Sequence, residues 1–191
     1  MSGQKTVTPT ATSLAASITA TKSRGLPPVH LWNPPFCGNL DMRIARDGTW
    51  FYEGTPIGRP GLVKLFSSIL KKEGEDFFLV TPVEKVGIQV DDAPFLAVDF
   101  DAEGAGAAQQ IQFETQVGDR FPADAEHAIR VERDPDTGEP SPYVHVRAGL
   151  EALIDRKSFY RLVDLGQEHD GWFGVWSGGA FFGIIPAEEL P

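Results

Sequence analysis

Three short blocks of this chain recur in the same order at a nearly constant distance, and that self-similarity restricts the available folds more than composition does. Arg43-Ile44-Ala45-Arg46-Asp47 is matched by Arg130-Val131-Glu132-Arg133-Asp134, 87 positions on. Arg59-Pro60-Gly61-Leu62 with Leu65 is matched by Arg147-Ala148-Gly149-Leu150 with Leu153, 88 positions on. Gly87-Ile88, Ala93 and Phe95 match Gly174-Val175, Ala180 and Phe182, again 87 positions on. A fixed period is the mark of one structural unit used more than once. The expected fold is α+β: two tandem related units, each made of strands and one main helix.

Local pattern gives the boundaries. Residues 2–24 are rich in Ser, Thr and Ala and have too little apolar surface to offset the entropy of ordering, so 1–25 is expected to be a disordered or partly helical arm. Its one helical signal is the i,i+4 pair Leu14 and Ile18. A Pro-rich lead-in then opens a first unit, 26–103. Leu40, Met42 and Ile44 alternate as in a half-buried strand, Asp47-Gly48 suits a tight hairpin, and Trp50-Phe51-Tyr52 begins the return strand. Pro60 fits a first helical position, Leu62, Val63, Phe66, Ile69 and Leu70 share one helical face, and Gly74 reads as its stop. Strands are expected at 76–82, 86–91 and 94–100, and Asp101–Ala108 as a connector to the second unit, 104–191, which opens with a strand at 110–117. Asp91-Asp92 aligns with Gly178-Gly179, and both read as bends between strands.

A formal charge of -10 opposes binding to a nucleic acid polymer or an anionic membrane. No run of eighteen apolar residues exists to span a bilayer, and the lone Cys37 fits a reducing, cytoplasmic compartment.

Familiar catalytic and cofactor patterns break down residue by residue. Gly104-Ala105-Gly106 begins like a dinucleotide fingerprint, but Gln109 stands where the third glycine belongs. Ser177 is followed by glycines, yet Val175 occupies the first position of a nucleophile elbow. His30, His127, His145 and His169 form no i,i+4 pair, and Asp99-x-Asp101 and Asp134-x-Asp136 do not sit in a calcium loop. No cofactor or metal is expected.

Two arginines remain. Arg59 and Arg147 each precede an expected helix with a glycine two residues later, and a cation is unfavourable at a helix N-terminus unless an anion meets it there. That anion is either internal, from Asp47 and Asp134 or Glu53 and Glu151, or a ligand held between the two units. In the ligand reading Trp50, Tyr52, Tyr143 and Trp176 supply aromatic walls, and Glu84, Glu151 and Arg156 orient polar groups.

The strings Trp32-Asn33-Pro34-Pro35-Phe36-Cys37-Gly38, Asp41 to Gly48, Thr81 to Lys85, Asp92-Ala93-Pro94-Phe95, Pro142 to Arg147 and Gly174 to Gly179 together resemble the bacterial domain-of-unknown-function family 1285, over roughly residues 25–185. The resemblance implies a duplicated α+β core whose second part is superficially pleckstrin-homology-like. It also implies a site between the domains for a nucleotide-based ligand and a role in signalling. The family has no established activity, so it supplies no catalytic residues. The expected function is a non-catalytic sensor or adaptor binding a small anionic, nucleotide-like molecule. Its rivals are an enzyme using Glu84 or Glu151 as acid or base, and a protein-interaction module.

Overall fold

The computed structural model describes residues 8–20 and 24–191; the other residues of the expected arm lie outside the described ones. Two compact units partition the chain: one runs to Ala45 and resumes over Thr49–Asp91, and the other takes Arg46–Gly48 together with Asp92–Pro191. Helix α1 (Ala11–Ala20) precedes the first sheet. Thr10 and Ser13 satisfy its first turn reciprocally, Ser13 N donating to Thr10 Oγ1 at 3.1 Å and Thr10 N to Ser13 Oγ at 3.0 Å. Leu14 and Ile18 are its buried stripe, one turn apart.

The first unit continues with β1 (Phe36–Ile44), β2 (Trp50–Tyr52), β3 (Thr55–Pro56), α2 (Pro60–Ser67), β4 (Leu70–Glu73), β5 (Asp76–Val80) and β6 (Lys85–Val90). Leu40, Met42 and Ile44 of β1 are buried while their neighbours are not, as the alternation requires. The strand order is β3-β2-β1-β6-β5-β4. All pairings are antiparallel except β1 with β6, the first strand against the last.

Helix α2 is shorter than its apolar period suggested. Ser67 and Ser68 return their hydroxyls to the carbonyls of Lys64 and Leu65 at 2.8 and 2.6 Å, competing with continued helix. Ile69 and Leu70 are buried all the same, but Leu70 already pairs with Leu79 in the sheet. Gly74 consequently sits between β4 and β5 at φ 60 rather than ending a helix. Phe66 is fully buried and stacks on Trp50, centroids 6.4 Å apart and planes 20° apart, which ties α2 to β2.

The second unit comprises β7 (Phe95–Glu103), β8 (Gln110–Thr115), β9 (Arg120–Pro122), β10 (Ile129–Arg133), β11 (Pro140–Arg147) and β12 (Leu150–Ile154), then α3 (Arg156–Asp164), β13 (Gln167–His169), β14 (Trp172–Ser177) and β15 (Ala180–Pro186). Its six-stranded sheet runs β10-β11-β12-β7-β8-β9. Renumbered from its own first strand, that is the order found in the first unit, and again the first and last strands, β7 and β12, make the parallel pair. The chain is therefore α+β with two tandem related units, each with one six-stranded sheet and one main helix, α2 or α3. The second unit adds a three-stranded sheet, β13-β14-β15.

The relation between the units is one of strand order, and the repeated sequence blocks do not follow it. β7, which pairs with β8 and β12, opens the second unit, so the units divide between Asp91 and Asp92 rather than after residue 103. Of the expected connector at 101–108, residues 101–103 finish β7 and the rest is the turn into β8, and Gln109 is buried there, donating to the Trp176 carbonyl at 2.8 Å. Arg147-Ala148-Gly149-Leu150, matched in sequence to the start of α2, is a two-residue hairpin between β11 and β12. Ala148 and Gly149 both adopt positive φ, 47 and 77, as such a turn demands. Gly178-Gly179 bends a hairpin, and Asp91-Asp92 is a bend between β6 and β7 that is also the junction of the units.

Replacing Phe66 with Ala should cost about 3–5 kcal/mol through the cavity left beside Trp50. Chemical denaturation will read this as a lowered midpoint.

Candidate functional site

Of the nine residues singled out from sequence, four lie in the first unit. Arg59 caps α2 with its backbone, its carbonyl accepting from Leu62 N at 3.0 Å and Val63 N at 3.2 Å, while its exposed side chain makes no capping bond. Trp50 is 2% exposed, a core side chain whose Nε1 finds no acceptor among the described residues. Tyr52 is half-buried on β2 opposite Met42. Glu84 lies in the turn before β6, its N–H donating to Thr81 Oγ1 at 3.2 Å, and burial raises the pKa of its carboxyl.

The other five belong to the second unit. Arg147 ends β11, not a loop before a helix; it pairs with Asp119 at 3.0 Å and lies 5.0 Å from the centre of the Phe95 ring. Tyr143 and Glu151 are brought together by Arg130, which this reading had not assigned. The Arg130 guanidinium grips Glu151 through two bonds, 2.7 and 2.6 Å, and covers the Tyr143 ring at 4.4 Å. Tyr143 is 6% exposed and donates to Asp92 Oδ1 at 2.7 Å, and Asp92 in turn meets Arg46 Nε at 3.2 Å. Burial, reinforced by the Asp92 carboxylate, pushes the Tyr143 hydroxyl up to about 12. Trp176 is half-buried on β14, clustered with His169 at 4.7 Å and Phe181 at 5.3 Å.

Arg156 opens α3 and lines a cavity of about 650 Å³, within the size range of small-molecule sites. Apolar surface comes from Leu96, Pro140, Pro142, Leu153, Ile154 and Phe159, with Tyr160 beside them. The charged lining is Arg46, Asp47, Glu139, Asp155 and Arg156. Asp155 is already used, accepting from Ser158 N at 2.7 Å as the N-cap of α3. The two arginines are held differently from Arg147. Arg46 is 63% exposed although it meets the mostly buried Asp92 and the Ser141 hydroxyl, and Arg156 is 75% exposed in its pair with Glu139. Ion pairs this open contribute about 0–1 kcal/mol, so an incoming anion can compete for both guanidinium groups. Arg147 is 23% exposed, and its ring contact adds to its carboxylate bond.

Sequence reasoning reached Arg156 but not Arg46, Asp155, Phe159 or Tyr160. Asp155-Arg156-Lys157-Ser158 carries a legible N-cap signal that was available. No local pattern could have brought Arg46, in the turn after β1, to the residues around α3.

Elsewhere the chemistry is structural. Ser177 is buried, donating to the Ala123 carbonyl at 2.6 Å and accepting from Ile111 N at 2.9 Å, so its hydroxyl pins strands together. Among the described residues no group of three or more His, Cys, Asp or Glu could hold a metal ion, and no helix is long and apolar enough to cross a membrane.

Comparison with known families matches residues 27–93 to the DUF1285 N-terminal domain, a domain of unknown function, and residues 94–184 to the DUF1285 C-terminal domain. The chain belongs to the DUF1285 family. Its two family segments meet within two residues of the boundary that divides the structure. A DUF1285 crystal structure from Silicibacter pomeroyi DSS-3 is 67% identical, with a TM-score of 0.86 over 93% of this chain and 97% of that one. Another, from Shewanella baltica OS155, is 31% identical, with a TM-score of 0.52 over 65% of this chain and 91% of that one. A comparison with curated proteins finds no match.

The Tyr143 shift has a sign that can be tested. Its folded value, about 12, lies above the ordinary 10.0, so the unfolded chain loses this proton first as pH rises. The stabilising contribution should be intact below pH 10 and decline as pH rises through about 12. Tyrosinate absorbance should show one late-titrating tyrosine, absent from Tyr143→Phe.

Proposed function

We propose that this DUF1285 chain is a non-catalytic binding protein for a small anionic molecule, and that its site is the cavity lined by Arg46 and Arg156. One observation carries the reading: two exposed guanidinium groups line a cavity of about 650 Å³ whose other walls are apolar and aromatic side chains and three carboxylates, of which Asp155 caps α3 and Glu139 pairs with Arg156. Guanidinium forks suit phosphate and carboxylate, and Phe159 and Tyr160 offer flat ring surface. An anion joined to a planar group, as in a nucleotide, fits that combination. Binding without turnover suits a sensor or adaptor in bacterial signal transduction.

The carboxylates considered for acid-base work support binding over catalysis. Glu151 is held bidentately by Arg130, and Glu84 is not among the residues lining this cavity. Arg147 is engaged by Asp119 and Phe95, and Arg59 is not among the residues lining this cavity, so the anion-binding role here falls to Arg46 and Arg156.

A thermal-shift screen of nucleotides, inorganic phosphate and small carboxylates tests the proposal. A ligand at a hundred times its Kd should stabilise the native state by about 2.7 kcal/mol. Arg46→Ala and Arg156→Ala should each abolish most of the shift. A screen with no hit, or a hit that survives both substitutions together, contradicts the proposal.

A further inference from the structure

The cavity of the proposed site shares two wall residues, Pro140 and Phe159, with a second cavity of about 190 Å³ in the same unit. The second cavity is lined further by Val163, Phe173, Ile184, Ile185 and Leu190. Its one charged lining residue, Arg133, is ion-paired with Glu189. The pocket opens to solvent, and covering its apolar walls with hydrocarbon would remove them from water.

Helix α3 lines both spaces. Arg156 lines the first, Phe159 lines both, and Val163 lines the second. These residues stand at i, i+3 and i+7, which is one face of a helix. At the rise of an α-helix the stripe from Arg156 to Val163 is about 10 Å long. One helical face thus runs from an exposed guanidinium, past a buried ring, to an open apolar pocket.

We infer that the ligand is an amphipathic anion, with its charged head at Arg46 and Arg156 and a hydrocarbon tail running past Phe159 into the smaller cavity. This rests on the proposed anion site and sets a hydrocarbon tail, in place of a planar base, behind the anionic head. The guanidinium groups of Arg46 and Arg156 select the head, and the apolar lining of the smaller cavity selects the tail.

Isothermal titration calorimetry of the full chain with inorganic phosphate and with ethyl, butyl, hexyl and octyl phosphate tests the inference. Each added methylene that enters the smaller cavity should raise affinity roughly fourfold, with a plateau once the tail outgrows the pocket. Ile185→Trp, which narrows the pocket, should lower octyl phosphate affinity by about tenfold or more and leave ethyl phosphate unchanged. Octylammonium, with the same tail and the opposite head charge, should bind much more weakly than octyl phosphate. Binding of phosphate and all esters with one affinity overturns the tail assignment and leaves the anion site standing. No binding by any member overturns both, and octylammonium binding as well as octyl phosphate overturns the head assignment. The native-chain series decides the matter even if Ile185→Trp fails to fold.

Discussion

Each six-stranded sheet is held at its centre by one parallel pair made from its own first and last strands, β1 with β6 and β7 with β12. Parallel neighbours cannot be joined by a tight turn, so the chain must travel through the rest of the sheet before the pair closes. That closure carries an entropy cost growing slowly with loop length, and the burial it creates has to exceed it. The candidate site depends on the same pairing. Leu153 of β12 stands opposite Leu96 of β7, and both line the larger cavity. Immediately beyond, β12 runs out at Ile154, Asp155 caps α3, and Arg156 follows. The pair that completes the sheet also sets the floor of the cavity and the start of the helix beside it.

Local environment sorts the arginines into structural and available. Arg130 is fixed by two bonds to Glu151 and by the Tyr143 ring, and Arg161 by Asp99, the Phe100 carbonyl and the Phe100 ring. Arg147 has Asp119 and Phe95. Where an ion pair and a ring contact act on one guanidinium, displacing it means losing both. Arg156 is held by a pair open to water, where screening leaves little net attraction, and Arg46, though it meets Asp92 and Ser141, keeps its guanidinium exposed and has no ring over it among the described residues. This difference, rather than a count of positive charges, lets a chain of formal charge -10 be read as holding an anion.

Much of the fold was legible because period and turn chemistry act locally. The alternation Leu40, Met42, Ile44 gave β1, Leu14 with Ile18 marked α1, and Pro60 marked the start of α2. What misled was the assumption that repeated blocks occupy repeated elements. Arg59-Pro60-Gly61-Leu62 starts a helix because proline pre-sets φ at its first turn, whereas Arg147-Ala148-Gly149-Leu150 makes a hairpin turn through two positive-φ residues. The same few letters serve opposite purposes when the proline is missing. The true kinship of the units lies in strand order, which only long-range pairing reveals. The cavity was illegible for the same reason: its lining draws on the turn after β1, on β7, β11 and β12, and on α3.

The claim at the centre of this account is that Arg46 and Arg156, and not the sequence-matched Arg59 and Arg147, meet a ligand anion. Arginine-selective isotope labelling, followed by titration with phenyl phosphate, observes each guanidinium directly in NMR spectra. The account predicts saturable shifts of the Arg46 and Arg156 side-chain signals with one shared Kd, while those of Arg59 and Arg147 stay in place. Saturable shifts at Arg59 or Arg147 with Arg46 and Arg156 unmoved would contradict it.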